Sequence, residues 1–188
     1  RRDFTVNGLL MNPETSEITD YVAGCADIEK KIIRTIGNPD TRFKEDYLRM
    51  LRAVRLSANL DFTLEAQTKE AIITNAAMIG KISAERLQQE LNKTLTRGHA
   101  RRGMELLSET GLLREILPEV AALGGIEQPP LYHPEGDVWR HTLIMLELLP
   151  REGHLAGNGA LAWAALLHDA GKALTRTEYE KGVHFYGH

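Results

Sequence analysis

Residues Lys44 to Phe62 read KEDYLRMLRAVRLSANLDF, and their periodicity constrains the chain more than any other stretch. Arg49, Arg52 and Arg55 recur at every third position, with Leu48, Leu51, Val54 and Ala58 between them. Spacings of three and four are the helical period, and Arg, Leu, Met and Ala favour helix. Glu45 and Asp46 are expected in the first turn, where acids complement the helix dipole. Asp46, Arg49, Arg52 and Arg55 would then form one drifting stripe, a carboxylate followed by three guanidiniums.

Such a stripe suits one kind of ligand. A carboxylate only accepts hydrogen bonds and a guanidinium only donates them. The Watson–Crick edges of cytosine and adenine each set an amino donor beside a ring-nitrogen acceptor, which Asp46 and Arg49 would match together. Uracil and guanine present an acceptor beside a ring N–H, which the same pair would reject. Arg52 and Arg55 could meet phosphates or support the pair. Spacing alone more often describes an amphipathic helix with solvated (i, i+3) ion pairs.

Composition narrows the class. The 188 residues are 43% hydrophobic and 6% aromatic, which suits a packed, helix-rich chain of one or two domains. A net charge of −3 gives no global attraction to nucleic acid, so RNA contact must rest on a local basic patch. Cys25 is the only cysteine, which excludes a disulfide framework and a cysteine zinc cluster and agrees with a cytoplasmic setting. No apolar run approaches the roughly 20 residues of a membrane span. The chain opens inside a motif at Arg1 and reads as an internal fragment of a longer protein.

The flanks of the arginine stretch carry a resemblance. EDYLRMLRAVR, Glu45–Arg55, resembles the neck-helix pattern E-D-x-L-R-x-L-R-A-x-R of the class II nucleotidyltransferases, the bacterial CCA-adding enzymes and poly(A) polymerases. RRDFTVN at the start is similar to their R-R-D-F-T-x-N motif. DYVAGCADIEKKIIRTIGNPDTRF between them is similar to D-x-x-G-G-x-x-D-L-x-x-K-x-I-R-x-I-G-x-P-x-x-R-F. The resemblance runs to about residue 128. It implies template-independent addition of CMP and AMP, or AMP alone, to an RNA 3′ end. Arg2 and Asp3 would bind the phosphates and ribose of the incoming CTP or ATP, Asp46 and Arg49 would read the base, and Arg52 and Arg55 would assist. Mg²⁺ would be held by a D-x-D motif that this chain does not contain, so none of its residues is assigned as catalytic.

Local signals place the remaining elements. FTVNGLL (4–10) and ITDYV (18–22) flank the turn residues Asn12 to Ser16 and are expected to form a β-hairpin, the end of a nucleotidyltransferase head over residues 1–22. Helices are expected over Ala26–Ile36, Leu64–Ala77, Ser83–Leu95, Ala100–Ser108 and Leu112–Leu123, the last interrupted at Pro118. Together they make a mainly α neck and body, residues 23–128. Arg86 and Glu90, at (i, i+4), are expected to pair and brace their helix. Lys93, Arg97, Arg101 and Arg102, with His99 among them, form the best basic cluster, and the resemblance assigns them to the RNA backbone. A solvated charged turn is the alternative. Two glycines and three prolines within Gly124–Pro134 mark a linker.

A second constellation follows, in residues 129–188. Apolar helices are expected over Asp137–Leu149 and Gly159–His168, with Asp137 as a cap. HDAGK, preceded 27 residues earlier by the His of VWRHTLIML, resembles the HD metal-dependent phosphohydrolases. That resemblance makes His141, His168 and Asp169 ligands of a divalent transition metal able to activate water against a phosphoester. It also suggests Lys172 for a phosphate and His184 or His188 as a further histidine, and it calls for a final Asp on a later helix that the chain lacks. His133 and Glu135 could look like extra ligands, but Pro134 and Gly136 argue for a loop. The competing readings of the whole are poly(A) addition, an HD phosphohydrolase with an RNA-binding helical arm, and a non-catalytic RNA-binding module.

Overall fold

The computed structural model describes residues 2–128, 133–149, 156–179 and 182–185. They fall in two compact units, Arg1–Leu91 and Asn92–His188. Helix dominates both, and no helix among the described residues is long and apolar enough to cross a membrane.

The first unit starts with Phe4, fully buried, in an antiparallel bridge with Thr35. A short 3-10 turn follows at Thr5–Asn7, then β1 (Leu10–Met11) and β2 (Ile18–Thr19), paired antiparallel. The expected hairpin therefore forms, but only at its tip; residues 5–7 are wound rather than extended. Asn12 Oδ1 closes the connection by accepting the N–H of Glu14 at 2.9 Å. Helix α1 covers only Gly24–Glu29, shorter than expected. Lys31 sits at φ +54°, and the β-branched pair Ile32–Ile33 becomes β3, parallel to β4 (Thr63–Leu64). Gly24 is held so tightly that a Cβ there would lie 2.3 Å from the Thr5 carbonyl oxygen. Beside it, Thr5 Oγ1 donates to the buried Asp27 at 2.7 Å.

The arginine stretch is two helices, not one. Asn38 caps α2 (Pro39–Glu45), accepting the Thr41 N–H at 3.0 Å. Asp46 then turns extended, at φ −162° and ψ 107°, and α3 runs Leu48–Leu60. The cause is local: Asp46 Oδ1 accepts the Leu48 N–H at 3.1 Å, the competition with helix that Asp side chains commonly win at helix starts. Glu45 thus ends one helix, and Asp46 precedes the other. Met50, Leu51, Ala53, Val54 and Ala58 bury the inner face of α3 with Ile33, Phe43 and Ile72. Glu65 caps α4 (Ala66–Asn75), a 3-10 turn covers Ala76–Lys81, and α5 spans Ala84–Thr96.

In the second unit α6 (Ala100–Glu109) packs on α7 (Leu112–Ile116) and on α9 (Val138–Glu147), and α9 on α10 (Gly159–Leu167). Pro118 begins a separate short helix, α8 (Pro118–Ala121). Met104, Leu106, Leu107, Leu112, Leu113 and Leu123 form its buried centre. Asp137 caps α9 as expected, accepting the Arg140 N–H at 2.7 Å. A short helix α11 (Lys172–Thr175) leads into the antiparallel pair β5 (Arg176–Tyr179) and β6 (Gly182–Phe185). Residues 129–132 of the expected linker, and the side chains of His184 and His188, lie outside the described residues.

Candidate functional site

In the first unit, three guanidiniums converge on one carboxylate. Asp3 Oδ2 meets Arg52 Nη1 at 2.7 Å, and Asp3 Oδ1 meets Arg49 Nε at 2.9 Å and Arg42 Nη2 at 3.6 Å. The backbone holds Asp3 there: its carbonyl accepts the Ile36 N–H at 3.0 Å, and Thr5 N–H reaches the Arg34 carbonyl at 3.0 Å. Arg49 Nη1 also donates to Glu45 and to the Arg42 carbonyl, both at 2.6 Å. Arg42 Nη2 donates to the Arg2 carbonyl at 3.0 Å. Arg2, Arg42 and Glu45 line an open cleft of about 370 Å³ with Gly37, Asn38 and Thr41. Arg42 is part of the GNPDTRF motif, and Glu45, expected only to complement a helix dipole, instead pairs with Arg42 and Arg49.

Asp46 and Arg49 stand one helical turn apart, the Arg49 N–H bonding the Asp46 carbonyl at 3.1 Å. The Asp46 carboxylate is partly exposed and takes Arg86 Nη2 from α5 at 2.7 Å. Burial would raise its pKa; the Arg86 hydrogen bond, the Leu48 N–H and the charges of Arg86 and Arg49 outweigh burial and hold it below the ordinary 3.8. Arg55 Nε pairs with Glu90 Oε2 at 2.7 Å, both side chains largely buried. So the four members of the expected stripe do different things. Arg49 and Arg52 face Asp3, Arg55 braces α3 on α5, and Asp46 stands at the joint.

The basic cluster in the second unit is uneven. Arg97 is exposed at the end of α5, and Lys93 is partly covered. Arg101 is shared between Glu105, at 2.9 Å, and Glu147; those hydrogen bonds push its pKa above its usual value. Arg102 lies 3.2 Å from Glu109 and 3.7 Å from Glu105.

In the same unit, the structure brings His141, His168 and Asp169 together. One ligand atom from each lies within 4.8 Å of the others. His168 Nδ1 faces the Ala165 carbonyl at 2.9 Å. A carbonyl only accepts, so Nδ1 carries a proton and Nε2 presents its lone pair. That Nε2 is 3.2 Å from Asp169 Oδ2, so the nitrogen free to ligate lies beside the carboxylate. Two imidazoles and a carboxylate fit a divalent transition metal. Lys172 does not present itself to a phosphate as expected: it is 6% exposed, its Nζ 2.8 Å from both Asp169 Oδ2 and Gln128 Oε1. His133 and Glu135, read from sequence as loop residues, join the cluster. Glu135 Oε1 lies 2.6 Å from His141 Nδ1 and 3.0 Å from His133 Nδ1. Its own backbone N–H and His133, helped by His141, overcome partial burial and draw the Glu135 carboxyl from 4.5 to about 2.

Residues 1–34 match the family model "Poly A polymerase head domain", and residues 61–123 match "Probable RNA and SrmB-binding site of polymerase A". The start of the chain is thus similar to a polymerase head domain, and a helical stretch after it to a region described as an RNA-binding site. The multifunctional CCA protein of Pasteurella multocida is 35% identical over all of this chain and 45% of its own length. The CCA-adding enzyme of Geobacillus thermodenitrificans is 47% identical over 66% of this chain and 30% of its own length. The crystal structure of the Bacillus stearothermophilus CCA-adding enzyme in complex with CTP is 29% identical, with a TM-score of 0.58, covering 90% of this chain and 53% of that one. The chain belongs to the family of the CCA-adding enzymes and poly(A) polymerases. It spans less than half the length of these curated relatives.

Proposed function

We propose that this chain is the nucleotide-selecting and RNA-holding part of a cytoplasmic enzyme that adds CMP and AMP to the 3′ end of tRNA without a nucleic-acid template. The observation that carries the reading is the pairing at the head of α3: a partly exposed carboxylate, Asp46, one turn before Arg49, whose guanidinium is held from behind by Asp3, Glu45 and the Arg42 carbonyl. An acceptor and a donor fixed at that spacing suit the edge shared by cytosine and adenine. Holding Arg49 at three points favours recognition, because little side-chain freedom remains to be lost on binding. Arg2 and Asp3 serve the triphosphate and ribose, Arg52 supports Asp3, and Arg55 keeps α3 seated. Residues 1–22 belong functionally to the transferase head and 23–128 to the neck and body. Lys93, Arg97, Arg101 and Arg102 contact the RNA backbone. The Mg²⁺ ions of phosphoryl transfer belong to carboxylates outside these residues, so the part played here is selection and grip.

Residues 129–188 carry the second centre, of HD type. His141 and His168 supply nitrogen donors and Asp169 an oxygen donor, while Lys172 balances the Asp169 charge. A divalent transition metal bound there supplies Lewis acidity for phosphoester hydrolysis.

The test is incubation of the full-length protein with tRNA lacking its CCA end and each labelled nucleoside triphosphate in turn. Incorporation of CTP and ATP, with UTP and GTP refused, is the expected result. AMP tails without CMP would favour poly(A) addition, and no incorporation at all would remove the transferase reading.

A further inference from the structure

The cluster around His141 contains a carboxylate that the ligand set leaves out. Glu135 Oε1 is 2.6 Å from His141 Nδ1. Two ligands of one ion at metal distances of ~2.0–2.2 Å stand roughly 3 Å or more apart in a tetrahedral shell. A separation of 2.6 Å is therefore that of a hydrogen bond, not of two ligands sharing a metal. The carboxylate accepts, so His141 carries its proton on Nδ1 and its lone pair on Nε2. His168 repeats the arrangement with a different acceptor, the Ala165 carbonyl. Both imidazoles thus hold the same tautomer, each set from its Nδ1 side, which leaves Nε2 as the lone pair that each has to offer a metal at the cluster they form with Asp169.

The loop bearing Glu135 is itself anchored. Asp137, two residues on, bonds the Arg140 N–H at 2.7 Å through Oδ1 and the Gly125 N–H at 2.9 Å through Oδ2. His133 donates from Nδ1 to the same Glu135 oxygen, its ring edge-on to His141 with centroids 5.1 Å apart. Glu135 is thereby clamped between two rings.

We infer that Glu135 is a positioning residue: it fixes the tautomer and aim of His141 and so sets how tightly a divalent transition metal binds at His141, His168 and Asp169. The inference rests on the metal-centre reading given above. Carboxylate partners of this kind commonly change metal affinity about 10- to 100-fold when removed.

The test uses the full-length protein labelled with ¹⁵N-histidine, and Co²⁺ as the probe. In the metal-free protein, imidazole ¹⁵N shifts should report His141 as the Nδ1–H tautomer. Glu135→Ala should lose that preference and weaken Co²⁺ binding about 10- to 100-fold by absorption titration. Glu135→Gln, which keeps an accepting oxygen, should bind more tightly than Glu135→Ala. Glu65→Ala, which removes the cap of α4 in the first unit, should lower stability and leave Co²⁺ affinity unchanged, separating aim from folding. If His168→Ala abolishes Co²⁺ binding while Glu135→Ala leaves affinity and tautomer as they were, the role of Glu135 is overturned and the metal centre stands. If His168→Ala binds Co²⁺ like the unaltered protein, the metal-centre reading falls and the role of Glu135 with it.

Discussion

Arg86 Nη2 donates to Asp46 Oδ2 at 2.7 Å, tying the first turn of α5 to the joint between α2 and α3. The bond holds the carboxylate ionised and leaves its other oxygen on the Leu48 N–H. Replacing Asp46 by Ala removes the acceptor of the proposed base-reading pair while leaving the Asp3 cluster in place. Paired hydrogen bonds of this kind discriminate by ~1–3 kcal/mol. The expected outcome is a loss of preference for CTP and ATP over UTP and GTP of about 10- to 100-fold in kcat/KM. A full-length Asp46→Ala enzyme with unaltered nucleotide choice would refute the assignment.

Asp3→Asn tests the three-arginine cluster. Asp3 and Arg42 are both about nine-tenths buried, and removing the carboxylate strands positive charge. Breaking a buried pair from one side costs about 3 kcal/mol or more, so the variant should show a clearly lower midpoint in urea. Bound CTP should recover part of the loss if its phosphates replace the missing anion.

Arg97 and Arg101 are predicted to differ in their value to RNA. Arg97 is exposed, whereas Arg101 already shares its charge with Glu105 and Glu147. Arg97→Ala should reduce the salt slope of tRNA binding by about 1, and Arg101→Ala by less. Equal slopes for the two variants would show that the glutamates release Arg101 when RNA binds.

Ala23 sits at φ +60°, a left-handed conformation, where the family pattern places the first of two glycines. Its methyl group is exposed, so little packing is lost by removing it. Ala23→Gly should stabilise the chain by about 1 kcal/mol, read as a higher unfolding midpoint.

Asp20 gives a pH prediction. Its carboxylate accepts the N–H groups of Cys25 at 2.9 Å, Val22 at 3.0 Å and Gly24 at 3.0 Å. Those bonds, Cys25 foremost, draw its pKa from 3.8 to about 2. A folded value below the unfolded one means stabilisation that is full above about 3.8 and is lost as pH falls toward about 2. Asp20→Asn should therefore lower Tm at pH 6, with the gap to the unaltered protein closing as the solution is acidified through that window.

Sequence carried the periodic and local parts of this molecule. The helical character of residues 48–60, the cap at Asp137, the break at Pro118 and the meeting of His141 with His168–Asp169 all follow from spacing or from a motif. The departures have one physical root: contacts between residues far apart in the chain leave no local period. Asp3 pairs with Arg42, Arg49 and Arg52, and Lys172 with Gln128, across tens of residues. Asp46 misled for a different reason, since an Asp compatible with a helical stripe is also a good breaker of it when its side chain finds a backbone N–H. Ile32–Ile33 likewise fit a helical face but were claimed by a parallel partner, Thr63–Leu64.

The close approach of Gly24 to Thr5 has a genetic corollary. A methyl group at Gly24 would press on the carbonyl of Thr5, whose N–H and hydroxyl help seat the segment presenting Asp3. Alleles altered at this glycine should therefore score as nucleotide-recognition defects in a mutational screen. They would map to a residue that has no side chain to offer any ligand.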